Sequence, residues 1–146
     1  MSIYVNYSLD ASIADFFTKT SVTREVCDGK AASLVGGRII PVPIQGSCSY
    51  TVYGGPQLEF VVQFRLEPLP LSLKTAALAR KIHGNLAPAT TYHEQLGDIS
   101  QEPVFVYSMD RIRGVSYLEF HLANKYTANS EENFSLRANL IVDLAR

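Results

Sequence analysis

The chain has 146 residues, 47% of them hydrophobic, and 13 basic against 14 acidic side chains give a formal net charge of −1. At about 100–200 residues per domain this predicts a single domain over residues 1–146, too apolar for intrinsic disorder. No block of like charge offers the footprint of a nucleic-acid or anionic-membrane binder, and no apolar run approaches the ~18 residues of a membrane span, so neither partner is expected.

Cys27 and Cys48 are the only cysteines. They supply neither a disulfide framework nor a zinc site with paired cysteines, so no metal is expected and a reducing, cytoplasmic setting fits best. The start, Met1-Ser-Ile-Tyr-Val-Asn, lacks the basic and apolar segments of a secretory signal. The triplets Asn6-Tyr7-Ser8 and Asn133-Phe134-Ser135 then read as chance matches to a glycosylation pattern.

In chain order, Asp10 can cap a helix carrying Ile13, Phe16 and Phe17 at i, i+3 and i+4, and a second helix is predicted over 21–34, ended by Gly36-Gly37. Three strands follow at 38–44, 47–53 and 58–65, separated by the turn sequences Gln45-Gly46 and Gly54-Gly55-Pro56. Pro41 and Pro43 lack N–H groups on one side of the first strand, which must be an edge or begin late. A helix over 71–82 is preceded by Pro68 and Pro70 and stopped near Gly84. Strands are predicted at 91–96 and 104–109, the second nearly all apolar, as in a strand covered on both faces. Helices at 115–122 and 131–145 close the chain, the last capped by Ser130 with Glu131 and Glu132 in its first turn. The order gives an α+β domain with a five-stranded, mostly antiparallel sheet and flanking helices.

Four segments carry a family likeness: Pro43-Ile-Gln-Gly-Ser-Cys-Ser-Tyr-Thr-Val52, Val61-Val-Gln-Phe-Arg65, Ala79-Arg-Lys-Ile-His-Gly84 and Val106-Tyr-Ser-Met-Asp-Arg-Ile-Arg-Gly114. In their joint spacing, from about Val35 to the end, the chain resembles the N-terminal lobe of the fungal aminoglycoside-phosphotransferase-like (choline-kinase-like) family, which has a protein-kinase-like fold. The resemblance implies a nucleotide- or small-molecule-binding module, with ATP as the candidate cofactor. Gln45, Gly46 and Ser47 would form the turn covering the phosphates, where a glycine lets backbone N–H groups approach an anion. Arg65 would stand at the position of the phosphate-binding lysine and could grip oxygens bidentately. The position matching the glutamate that usually holds that cation is Lys74, which leaves Glu67 as the nearest substitute. Tyr107 and Met109 would belong to the hinge beside an adenine ring.

Phosphoryl transfer also needs an Asp base and metal-binding Asn and Asp residues, which kinase-like folds keep in a second lobe. The histidines stand in His83-Gly-Asn, His93-Glu-Gln and His121-Leu-Ala, so no His-x-Asp is present. The chain alone is therefore expected not to be a competent phosphotransferase. The apolar segments 104–109, 115–122 and 131–145 would meet the second lobe, which predicts a homo-oligomer or a partner chain. An alternative reading makes the lobe a cofactor-independent isomerase- or cyclase-type enzyme of fungal secondary metabolism. In it His83, His93 and Asp110 act as catalytic acid and base groups, helped by Tyr92 and Glu94.

Overall fold

In the computed structural model, which describes residues 7–115, 120 and 130–145, the first elements are two helices, α1 (Leu9–Phe17) and α2 (Arg24–Val35). Ser8, and not Asp10, caps α1: its Oγ accepts from the Ala11 N–H at 3.3 Å. Asp10 instead sits in the first turn, where its charge complements the helix dipole. The second helix starts later than its sequence pattern suggests because Thr23 takes the cap, accepting from the Val26 N–H at 3.4 Å. It ends at Gly36, with φ +68°, and Gly37 follows at φ +67°. A Cβ on Gly37 would lie 2.4 Å from the Gly55 carbonyl carbon. Glycine is thus required twice over there, for the left-handed backbone and for the close approach of a second chain segment.

Five antiparallel strands, β1 (Ile40–Pro41), β2 (Ser49–Gly54), β3 (Phe60–Leu66), β4 (Thr90–Leu96) and β5 (Val104–Asp110), form one open sheet in the order β1-β2-β3-β5-β4. The strand predicted over 38–44 shrinks to two paired residues, Ile40 opposite Tyr53 and Pro41 opposite Val52. Only the Val42 N–H adds a further bond, to the Thr51 carbonyl at 3.1 Å, because Pro41 and Pro43 on either side have none to give. At the other edge β4 carries a bulge between Tyr92 and Glu94. Both edges are therefore poor templates for further pairing.

Alternation splits the sheet into two faces. Tyr50, Val52, Val62, Phe64, Leu66, Val104 and Val106 share one and pack with Ile13, Phe16, Cys27 and Ala31 of α1 and α2 to make the core. Tyr50 is fully enclosed, its ring 6.0 Å from that of Phe64 and 5.1 Å from that of Phe17. Its hydroxyl donates to Asp28 Oδ1 at 2.8 Å, and Asp28 is also 3.6 Å from the Arg24 guanidinium. Lys30 of α2 ion-pairs with Glu94 of β4, tying the helix to the far edge of the sheet.

Cys27 lies wholly inside this core, and burial pushes its thiol pKa up to about 12. Cys48, in the turn before β2, is partly exposed. A thiol reagent near neutral pH is expected to titrate Cys48 in the native protein and both cysteines only after unfolding. Two fast thiols in the native protein would contradict this packing.

Helix α3 (Leu73–His83) is capped by Ser72, which accepts from the Thr75 N–H at 3.2 Å, and leads through a single 3-10 turn (Gly84–Leu86) into β4. Helix α4 (Glu131–Ala145) falls where the sequence predicts it, with Ser130 Oγ accepting from the Asn133 N–H at 3.2 Å. The helix predicted over 115–122 lies mostly outside the described residues. Contacts divide the chain into two units, Met1–Ile112 with the sheet and Arg113–Arg146 with α4. Among the described residues, helices and one five-stranded antiparallel sheet make an α+β fold.

Candidate functional site

The second face of the sheet is more polar than the core face. It carries Thr51 of β2, Gln63 and Arg65 of β3, Phe105, Tyr107 and Met109 of β5, and Tyr92 of β4. Tyr92 packs against Tyr107 at 5.4 Å and Phe105 at 6.2 Å between ring centroids. The segment leading into α3 crosses this face, where the Leu71 N–H donates to the Tyr107 hydroxyl at 3.3 Å.

Arg65, half-buried, lies opposite Ser49 on one side and Phe105 on the other. Its Nε donates to the Leu69 carbonyl at 2.7 Å and its Nη1 to Gln63 Oε1 at 3.1 Å. Gln63 is itself oriented by donating from Nε2 to Thr51 Oγ1 at 3.2 Å. Every acceptor is neutral, and among the described residues no ion pair includes Arg65. Glu67, the substitute partner considered from sequence, is exposed, and its N–H bonds instead to the Pro103 carbonyl. A partly desolvated guanidinium with a fixed orientation and no carboxylate to neutralise it is suited to an anionic ligand.

The turn before β2 lies at the same end of the sheet, and the Leu66 N–H reaches the Cys48 carbonyl at 3.1 Å. Gln45 is buried and holds the hairpin from within. Its Nε2 donates to the carbonyls of Val42 (3.0 Å) and Thr51 (2.9 Å), and its Oε1 accepts from the Thr51 N–H (2.8 Å). That leaves Gly46 and Ser47, both exposed, as the part of the turn open to a ligand. The turn is also braced by residues on either side of α1: the Tyr7 hydroxyl accepts from the Gln45 N–H at 2.7 Å, and Lys19 Nζ donates to the Ser47 carbonyl at 3.1 Å. A cavity of about 450 Å³ opens between α1 and this turn, beside Ser8, Ser12 and Asp15. Gln45→Ala is expected to cost about 2 kcal/mol, because the Val42 carbonyl and the Thr51 N–H lose their partner together and the Thr51 carbonyl keeps only the Val42 N–H. Chemical denaturation checks this, and a loss under about 0.5 kcal/mol would mean the side chain is not holding the turn.

Both edges of β5 are occupied, by β3 and by β4. The backbone of Tyr107 and Met109 is therefore engaged in the ladders, and their side chains are what a ligand on the second face could touch. Met109, opposite Val61, stands four residues along the strand from the Phe105–Arg65 pair, a separation of about 13 Å.

Among the described residues no hydrogen bond or ion pair joins His83, His93 and Asp110 to one another. His83 is the last residue of α3, and Asp110 ends β5, its N–H bonded to the Ala89 carbonyl. His93, in the β4 bulge, pairs with Ser108: Nε2 and Oγ are 2.7 Å apart. No local spacing signals the His93–Ser108 pair, because it arises from strand register plus the bulge. Among the described residues no group of three or more His, Cys, Asp or Glu is placed to hold a metal ion, and no helix is long and apolar enough to cross a membrane.

Comparison with protein-family models, with curated proteins and with solved structures returned no match.

Proposed function

We propose that this chain is a nucleotide- or small-molecule-binding module of the kinase-like N-lobe type, binding an anionic ligand, with ATP as the candidate, on the second face of its sheet. The observation that carries the reading is Arg65, whose guanidinium is fixed by two neutral acceptors and has no carboxylate partner among the described residues. Supporting it is the order of elements: a hairpin, a third strand bearing the cation, one helix, then two strands. The hairpin turn and Arg65 lie at the same end of the sheet, and Met109 lies about 13 Å from Arg65 along the second face, a span that suits phosphates at one end and a base at the other.

Thermal unfolding with and without Mg-ATP tests the reading. Ligand at 100 times its Kd adds about 2.7 kcal/mol of stability, so even weak binding raises Tm measurably. An unchanged Tm at millimolar Mg-ATP would count against the nucleotide.

One observation favours the acid–base alternative, the His93–Ser108 hydrogen bond, since a histidine held against a hydroxyl can take its proton. It implies His93 with Ser108, without His83 or Asp110. An isomerase or cyclase of this kind would ignore ATP and lose activity on His93→Gln.

A further inference from the structure

Beyond Arg65, the second face of the sheet holds another guanidinium. Tyr53, Val61 and Met109 stand in register across β2, β3 and β5, a row four residues, about 13 Å, from Arg65 along β3. Arg111, just past the end of β5, reaches across to Tyr53, its Cζ 3.7 Å from the ring centroid. Its Nη1 donates to the Leu58 carbonyl at 3.2 Å and its main-chain N–H to the Glu59 carbonyl at 2.8 Å. The Glu59 carboxylate turns instead to the Gln57 N–H, at 2.8 Å, and among the described residues no ion pair includes Arg111. Stacked on one side and bonded through one nitrogen, this half-buried guanidinium has N–H groups left to donate.

The hydrogen-bonding chemistry of this row is one-sided. The backbone of Met109 lies in ladders on both sides, and the N–H groups of Asp110 and Arg111 are bonded to the Ala89 and Glu59 carbonyls. A base resting on Val61, between Met109 and the Arg111–Tyr53 stack, is therefore read by side chains, and the charged one among them, Arg111, can only donate. Two donors in a fixed fork match an edge with two adjacent acceptors. The 6-oxopurines carry such an edge, O6 beside N7, whereas adenine sets its N6 amino donor beside N7, so that donor would face donor.

We propose that Arg111 reads the base of the nucleotide, and that this face favours a 6-oxopurine nucleotide, of the GTP type, over ATP. The inference rests on the nucleotide reading above and refines it: Arg65 holds the phosphates of any nucleoside triphosphate, and Arg111 sets which base is preferred. ATP then binds through its phosphates, more weakly. Tyr53 covers one side of the guanidinium and the Leu58 carbonyl fixes its rotation, so the fork is in place before the base arrives and less ordering is needed on binding.

Titration calorimetry of the whole chain with the magnesium complexes of GTP, inosine triphosphate, ATP and tripolyphosphate tests this. The wild type is expected to bind GTP about tenfold or more tighter than ATP, the discrimination of one bidentate contact. Inosine triphosphate, which keeps O6 and N7 but lacks the 2-amino group, is expected to match GTP. Arg111→Ala brings GTP to the level of ATP and leaves tripolyphosphate unchanged, and Arg111→Gln, whose amide can pair with N6 and N7 of adenine, shifts the preference toward ATP. A folding defect weakens every ligand together, so the ratio of GTP to ATP affinity within each variant is the readout, and circular dichroism verifies that each variant is folded. Equal wild-type affinity for GTP and ATP, inosine triphosphate behaving like ATP, or a GTP preference that survives Arg111→Ala would overturn the proposal. In each of those cases tripolyphosphate binding that depends on Arg65 upholds the phosphate end of the nucleotide reading, whereas no binding of any of the four overturns both.

Discussion

Tyr50→Ala is expected to lower the stability of the folded chain by about 3–5 kcal/mol, a large share of the ~5–15 kcal/mol available to a domain. The ring is completely enclosed among Phe16, Phe17 and Phe64, and its loss opens a cavity where both helices meet the sheet. Urea denaturation of Tyr50→Phe separates the ring from its hydroxyl. That variant keeps the packing but removes the phenol donor from Asp28 Oδ1, leaving the Asp28 carboxylate with Arg24, and is expected to cost about 1–2 kcal/mol. The same phenol sets an alkaline limit. Burial first, and then the Asp28 hydrogen bond, raise its pKa above the ordinary 10.0. The folded state therefore holds this proton where the unfolded chain has lost it, so the contribution is intact below pH about 10 and declines as pH rises further. Tyr50→Ala costing under about 1 kcal/mol would contradict the core described here.

Arg65→Ala is expected to weaken Mg-ATP binding by about 2 kcal/mol, roughly 30-fold in Kd, if phosphate oxygens meet this guanidinium. Arg65→Lys should fall between the two, since an ammonium keeps the charge but loses the planar fork. Folding stability is expected to change by under about 1 kcal/mol, because the acceptors released, the Leu69 carbonyl and Gln63 Oε1, lie on residues that water reaches. Titration calorimetry separates the effects, and equal affinity for the wild type and Arg65→Ala would remove Arg65 from the site.

Much of the fold is legible in the sequence because local signals and tertiary demands agree. Ser130 followed by Glu131 and Glu132 marks the start of α4, and Gly36-Gly37 marks the end of α2 where only glycine fits. The first strand was not legible in length: apolar residues run through 39–44, but the prolines interrupt the ladder after two pairs. Asp10 is a good capping type and reads as the cap of α1, but the backbone places Ser8 at the cap and Asp10 two residues on, inside the first turn. Arg65 can be singled out from its strand motif, but its surroundings cannot. The loop carrying Leu69 returns over it, and Gln63, two residues away on the same face, takes the place that a carboxylate would fill. Gln45 shows the converse, since a turn glutamine reads as a ligand contact until the strand register places its amide between Val42 and Thr51. His93 and Ser108 are fifteen residues apart and meet only through the β4 bulge.

The most direct test of the ligand face is a titration of the isotope-labelled chain with Mg-ATP, followed by amide and arginine side-chain NMR shifts. The predicted changes cluster on the Arg65 guanidinium, Gly46, Ser47 and Met109, and leave Ile13, Cys27 and Ala31 in the α1 and α2 core unmoved. Saturable changes confined to the α1 and α2 side, or none at millimolar ligand, would contradict the assignment.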